Sequence, residues 1–143
     1  MAGSAAYSVT QGKRRGIVRV DVLLTCVAGA VAAQSIGSYY GRLVGVLFDP
    51  AAGAGATMTS TADVLLTDAE TGAAILSDLS FGAGGFYRPT GAVVDNAGVA
   101  ITPATTANDV NRDIFVGGDI NIAIANAVTT DTGRMVLLID EGV

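Results

Sequence analysis

The chain of 143 residues contains no histidine, no tryptophan and a single cysteine. Histidine is the usual general base near neutral pH and the usual partner of a catalytic serine, so its absence excludes the commonest acid–base and triad chemistries. Zinc sites built from histidine or several cysteines are excluded as well, together with any disulfide within the chain. The sequence therefore predicts a protein that is not an enzyme, with no catalytic residue, no metal and no cofactor.

Charged residues are scarce too, at 15% of the chain against 50% hydrophobic residues. This balance is the opposite of a disordered composition and predicts a folded chain, whose length fits one domain. Eight basic residues against thirteen acidic ones give a net charge of −5. Phosphate backbones repel a chain of this charge, so we expect no direct nucleic-acid partner.

The basic residues gather near the N-terminus. Four of them, namely Lys13, Arg14, Arg15 and Arg19, precede the first acidic residue, Asp21. Two interpretations remain open: a solvated strand face, or a basic end that docks on an acidic protein surface.

A long uncharged stretch raises the question of a membrane span or an export signal. Residues 22–41 carry no charge, and twenty residues are enough to cross a bilayer as a helix. However, this stretch contains several glycines and the polar residues Gln34 and Ser35, while Arg19 and Asp21 interrupt the approach to its apolar part. The sequence thus predicts no membrane partner. It also predicts that Cys26 is a small hydrophobic residue buried in the core.

Alternation of apolar and polar residues dominates the rest of the chain and predicts strands. The predicted strands are residues 17–27, 42–48, 63–67, 73–76, 86–88, 113–116, 119–128 and 134–140. The turn sequence DAETG (68–72) predicts a hairpin between two of them, and TTDTG (129–133) predicts a second hairpin between residues 119–128 and 134–140. Residues 27–33 and 76–79 are candidates for short helical turns.

Many short strands between turn-rich loops favour an all-β protein, an antiparallel β-sandwich or jelly-roll-like domain. We expect this domain to cover residues 17–143 and to follow an extended N-terminal arm, residues 1–16. Such a sheet buries one face of each strand and leaves the other free.

Aromatic residues beside small residues form two candidate surface motifs. The first is Tyr39 and Tyr40 before a glycine, and the second is Phe86, Tyr87 and Arg88 before a proline. Core or corner packing is one interpretation, and an interface anchored by aromatic and arginine side chains is the other.

Oxygen-rich segments give weaker indications. Residues 109–113 (DVNRD) alternate like the ligands of a calcium loop, but Ile114 and Ile120 stand where such a loop needs glycine and glutamate. A polar loop bonded to its own backbone is favoured there. The acidic residues Asp63, Asp68 and Glu70 fall on different faces of a strand and its turn, which disfavours paired-carboxylate catalysis.

Four segments together resemble small β-rich virion proteins of tailed bacteriophages. They are GRLVGVLFDP (41–50), DVLLTD (63–68) with Gly72, GDINIAIA (118–125) and TGRMVLLID (132–140), about half of the chain. The resemblance implies a virion structural protein, a head decoration or cement protein on the outer surface of the capsid. It implies the major capsid protein and further copies of the chain as partners, and it carries no active-site residue.

Two other functions remain open at this point. One is a different virion component, associated with the tail, the connector or a fibre. The other is a carbohydrate-binding β-sandwich module, in which Tyr39, Tyr40, Phe86 and Tyr87 would supply aromatic surface.

Overall fold

The computed structural model describes residues 3–11, 16–51, 55–80, 84–87, 90–92 and 111–142. These residues form ten strands and, within the described ranges, no helix. The strands are β1 (Ser4–Gln11), β2 (Ile17–Thr25), β3 (Val31–Asp49), β4 (Ala56–Thr57), β5 (Asp63–Asp68), β6 (Ala74–Ser80), β7 (Gly85–Tyr87), β8 (Thr90–Ala92), β9 (Asn111–Ala125) and β10 (Asp131–Asp140). The all-β prediction is confirmed.

The main strands follow one hydrogen-bonded path in the order β1-β2-β10-β3-β9-β5-β6. Every pairing on this path is antiparallel; the short strand β4 adds a parallel pairing to β10. The 19-residue strand β3 joins the two halves of the path, because its first part pairs with β9 and its second part with β10. The finer sandwich or jelly-roll topology stays a prediction, since one path connects all these strands.

The buried side chains form one hydrophobic cluster to which β2, β3, β5, β9 and β10 all contribute. In β2 the alternation is regular, with Val18, Val20, Val22 and Leu24 buried. Cys26 continues this row and is buried, as predicted. Its burial raises the pKa of the thiol, and the charge of Asp131 acts in the same direction.

Residues 4–11 of the predicted arm form β1, which pairs with β2 along its whole length. Only Ala5 of this strand is buried. The described part of the arm is therefore an edge strand of the same sheet, with little share in the core.

Two local predictions are wrong. The segments proposed as helical turns belong largely to strands, since β3 begins at Val31 and β6 contains residues 76–79. The hairpin between β9 and β10 is wrong as well, because β3 lies between these two strands in the sheet. By contrast, β5 and β6 do form the predicted hairpin, closed by the turn in which the Gly72 N–H donates to the Asp68 carbonyl.

The strands predicted at residues 113–116 and 119–128 are one continuous strand, β9, which also starts earlier and ends at Ala125. Gly117 and Gly118, which separate the two predicted strands, lie directly opposite Tyr40 and Tyr39 of β3 and stay in register. The chain leaves β9 at Asn126, whose positive φ ends the extended conformation.

Candidate interaction surfaces

The first candidate surface is the outer face of β1, β2 and β10, the side opposite the buried valines of β2. Directly paired residues of antiparallel strands share a face, and the pairs here are Thr10 with Arg19, Ser8 with Asp21, and Ala6 with Leu23. On the other side of β2, Leu23 lies opposite Arg134 of β10. These residues line an open groove of about 660 Å³, which we call the outer groove.

Two arginines and one aspartate set the electrostatics of the outer groove. The Arg19 guanidinium donates two hydrogen bonds to the Asp21 carboxylate, at 2.9 and 3.1 Å. This hydrogen-bonded pairing holds the pKa of the Asp21 carboxyl below its ordinary value, and the charges of Arg19 and Arg134 add to the effect. Asp21 therefore neutralises one guanidinium, and the groove keeps a net positive charge at neutral pH.

The second candidate surface is an exposed aromatic pair on the outer face of β3 and β9. Tyr40 is 64% exposed and Phe115 is 73% exposed. Tyr40 lies directly opposite Gly117, while Phe115 lies opposite Arg42. Because Gly117 has no side chain, no side chain of β9 lies directly opposite Tyr40.

Polar residues border this aromatic pair. The Ser38 hydroxyl donates to the Asp119 carboxylate, and Asp68 accepts hydrogen bonds from the backbone N–H and the hydroxyl of Thr71. Thr71 thereby holds the pKa of the Asp68 carboxyl below its ordinary value. Two shallow cavities of about 470 and 330 Å³ meet at Gly117, Gly118 and Asp119.

Tyr39 is placed differently from its neighbour Tyr40. Its side chain is buried in the core, and its hydroxyl donates to the Ile36 carbonyl. Burial, with smaller contributions from Tyr7 and Glu141, raises the pKa of Tyr39 to about 12. Of the two adjacent tyrosines, only Tyr40 offers its ring to a partner on the surface of the chain.

The remaining predicted interface residues can be placed only in part. Lys13, Arg14, Arg15 and Arg88 lie outside the described residues. Phe86 and Tyr87 belong to β7, which pairs with β3 near Val46, and only their backbone is described. The structure therefore brings Arg19 to the outer groove and Tyr40 to the aromatic pair, on different strands of the sheet.

The acidic residues act as structural hydrogen-bond acceptors. Asp63 accepts a 2.7 Å hydrogen bond from the Asn126 amide, and Asp68 closes the β5–β6 turn. Among the described residues, no three acidic or cysteine side chains come together as metal ligands would. Asp109 of the calcium-like segment lies outside these residues.

Three residues of these surfaces were missed by the sequence analysis: Arg134, Phe115 and Tyr7. The sequence predicts a strand at Arg134, but its neighbours Leu23 and Asp21 on β2 are distant in sequence and are found only from the register of β2 with β10. Phe115 fits the alternation of β9 as an outward-facing residue. The sequence shows this only when residues 113–125 are treated as one strand. Tyr7, which also lines the outer groove, lies in a segment for which the sequence predicts no strand.

Searches against family models, curated proteins and solved structures yield no match to this chain. Within the part of the chain that is described, no helix has the length and apolar character that crossing a membrane requires.

Proposed function

We propose that this protein is a bacteriophage capsid decoration (cement) protein, which binds the outer head shell and bridges neighbouring capsid subunits. The proposal starts from the resemblance of the strand and turn motifs to small virion proteins of tailed phages. A small protein that binds the assembled lattice better than the free subunits stabilises the lattice by mass action. In this role the protein needs adhesive surfaces and no reactive group.

The outer groove is the observation that supports the proposal best. It combines the guanidinium of Arg134, the ion pair of Arg19 with Asp21, and the half-exposed side chain of Leu23. In the sequence, Lys13, Arg14 and Arg15 lie between β1 and β2 and make this part of the chain basic. Arginine beside apolar surface is the composition of a protein-binding site, and its charge fits an acidic segment of the capsid protein.

Shell binding can be tested by co-sedimentation of the purified protein with capsid shells that lack it. We expect Arg134→Ala to weaken binding by about tenfold, because loss of one charged contact at an interface costs about 1.4 kcal/mol or more. Binding by the unaltered protein should also weaken as salt rises, since exposed charges are screened.

Arg112→Ala is the matched control, because it removes the same charge from β9, three places from β2 in the sheet order. It should bind the shell like the unaltered protein. If the unaltered protein and both variants bind the shell equally, and binding does not depend on salt, the outer groove is not the shell-binding surface.

The exposed aromatic pair favours one other function, a carbohydrate-binding module. Exposed rings stack on the apolar faces of sugars, and the adjacent carboxylate of Asp119 can accept hydrogen bonds from sugar hydroxyls. A glycan array probed with the unaltered protein and with Tyr40→Ala would detect this activity as binding that the substitution abolishes. Absence of binding by both proteins would exclude this alternative.

A further inference from the structure

Within the part of the chain that the structure describes, the free edge of β1 has no charged residue, no proline and no bulge to protect it. Its eight residues, SAAYSVTQ, include no charge and no proline, and its register with β2 is continuous. Natural proteins usually place lysine, proline or a bulge on such an edge, because its unpaired N–H and C=O groups pair readily with another strand. Among the described residues, β2 is the only strand paired with β1.

The strand at the opposite end of the sheet, β6, differs in these respects. Its pairing with β5 shifts register twice, and its sequence contains Asp78. Bulges and charges are the devices that discourage pairing at an edge. Of the two end strands, β1 is therefore the one suited to accept a further strand.

The inner side of β1 carries apolar surface that the chain itself leaves half covered. Tyr7 and Val9 lie directly opposite Val22 and Val20, which are buried, so all four share the inner face. Nevertheless Tyr7 is 47% exposed and Val9 is 48% exposed. Tyr7 also lies close enough to Tyr39 to contribute to the raised pKa of that residue.

We propose that the occupant of this edge is a second copy of the chain, joined by antiparallel pairing of β1 with β1 around a two-fold axis at Ser8. An axis perpendicular to the sheet keeps each residue on its own face, so paired residues must both be odd or both be even in number. Centring on Ser8 places Tyr7 of each copy opposite Val9 of the other.

This register has two favourable consequences. An aromatic residue opposite a β-branched residue is a stabilising cross-strand pair, and the two-fold axis produces that pair twice. Because β1 is uncharged, no like charges meet across the axis. The sheets of the two copies then become one continuous sheet, independently of any attachment to a capsid.

The association is tested by analytical ultracentrifugation of the purified protein over a range of concentrations. The unaltered chain should approach twice its mass of 14.3 kDa as its concentration rises. Val9→Lys should remain monomeric, because it places a charge beside Tyr7 of the other copy. Val128→Lys is the matched control: Val128 is 57% exposed in the turn before β10, and this variant should dimerise like the unaltered chain.

Circular dichroism of both variants shows whether they keep the sheet, and a folded Val9→Lys that dimerises normally would overturn the proposal. A monomeric unaltered chain at every concentration would overturn it too. Shell binding is measured separately, so failure of the dimer and failure of the proposed function are distinguishable.

The register of the β1–β1 pairing can be tested separately, by a substitution that does not weaken the dimer. In Ser8→Cys the two introduced thiols lie directly opposite each other at the axis, within the distance at which a disulfide closes. The native Cys26 is buried, so we expect it not to form cross-links between copies. Mild oxidation should convert Ser8→Cys into a covalent dimer and leave Thr10→Cys largely monomeric, whereas equal cross-linking of both would overturn the register at Ser8.

Discussion

At the scale of the residue, Asp131 is the buried charge on which three segments meet. It is 2% exposed, and its carboxylate accepts hydrogen bonds from the backbone N–H groups of Thr59 at 2.9 Å and Val128 at 3.0 Å. Its own carbonyl accepts from the Cys26 N–H at 2.8 Å. The residue thus fixes the loop before β5, the turn before β10 and the end of β2 relative to one another.

Replacing Asp131 with alanine leaves the N–H groups of Thr59 and Val128 without their acceptor. We expect the free energy of unfolding in urea to fall by about 2–4 kcal/mol, because each buried donor without a partner costs about 1–3 kcal/mol. Asp131→Asn keeps one acceptor oxygen and should lose less than half of that amount. Equal stability of the alanine variant and the unaltered chain would show that water replaces the carboxylate without cost.

Tyr39 gives the molecule a pH dependence of known sign. Its pKa in the folded protein is about 12, above the ordinary value of 10.0, so folding favours the protonated phenol. The corresponding stabilisation is complete below pH 10 and is lost as the pH rises towards 12. The raised pKa of Tyr39 requires the folded core, because burial of the phenol is its main cause.

An absorbance titration of the phenolate should therefore show an ionisation step near pH 12 that belongs to Tyr39. Tyr39→Phe should remove this late step. If the late step persists in Tyr39→Phe, it belongs to a different tyrosine and the burial of Tyr39 does not control the alkaline behaviour.

At the scale of the element, β3 depends on Gly41, which directly precedes the start of its pairing with β10 at Arg42, while its pairing with β9 continues to Leu43. Gly41 has a φ of 148°, and an added Cβ would lie 2.2 Å from the Asp140 carbonyl oxygen. No side chain fits this approach of two backbones. The length of β3, and with it the connection between the two halves of the sheet, rests on this glycine.

Gly41→Ala should lower the free energy of unfolding by about 2–5 kcal/mol, because it combines backbone strain with overpacking. Gly117→Ala provides the matched control, since nothing lies within 4 Å of a Cβ at that position. The control should change stability by less than about 0.5 kcal/mol. Denaturant unfolding of both variants checks this, and a loss of equal size in the two would refute a special role for Gly41.

The strands that could be predicted from the sequence are those with regular alternation, such as β2 and the second half of β9. The first part of β3 escaped prediction because its register with β9 shifts between Val31 and Gln34 and again between Ser35 and Ser38, which breaks the two-residue period. The predicted hairpin between β9 and β10 is wrong for another reason. A turn-rich loop between alternating strands looks alike in sequence whether the strands pair directly or a third strand, here β3, lies between them.

The candidate site was predictable only in its residue types. Arg19 and Tyr40 were identified as interface candidates, and both are exposed on outer faces. Their separation onto different surfaces, and the position of Arg19 and Arg134 in one groove, follow from a register that pairs residues more than a hundred positions apart. Such non-local pairing is set by the packing of the whole sheet, which no local pattern encodes.

At the scale of the whole molecule, the surfaces are separated according to their chemistry. The outer groove is basic and polar, the aromatic pair is exposed on β3 and β9, and the edge of β1 is uncharged. The aromatic pair shares no residue with the other two surfaces, whereas the outer groove and the edge both involve β1, which contributes side chains to the groove and free backbone groups to the edge. A protein with several adhesive surfaces around one core suits a lattice, in which each copy contacts more than one neighbour.

Cryo-electron microscopy of tailed-phage particles incubated with the purified protein tests the proposed head location directly. If the protein decorates the head, we expect density for the sheet on the outer surface of the head, with the outer groove facing the capsid protein. Density for the chain confined to the tail, or its absence from the particle, would contradict the proposed function.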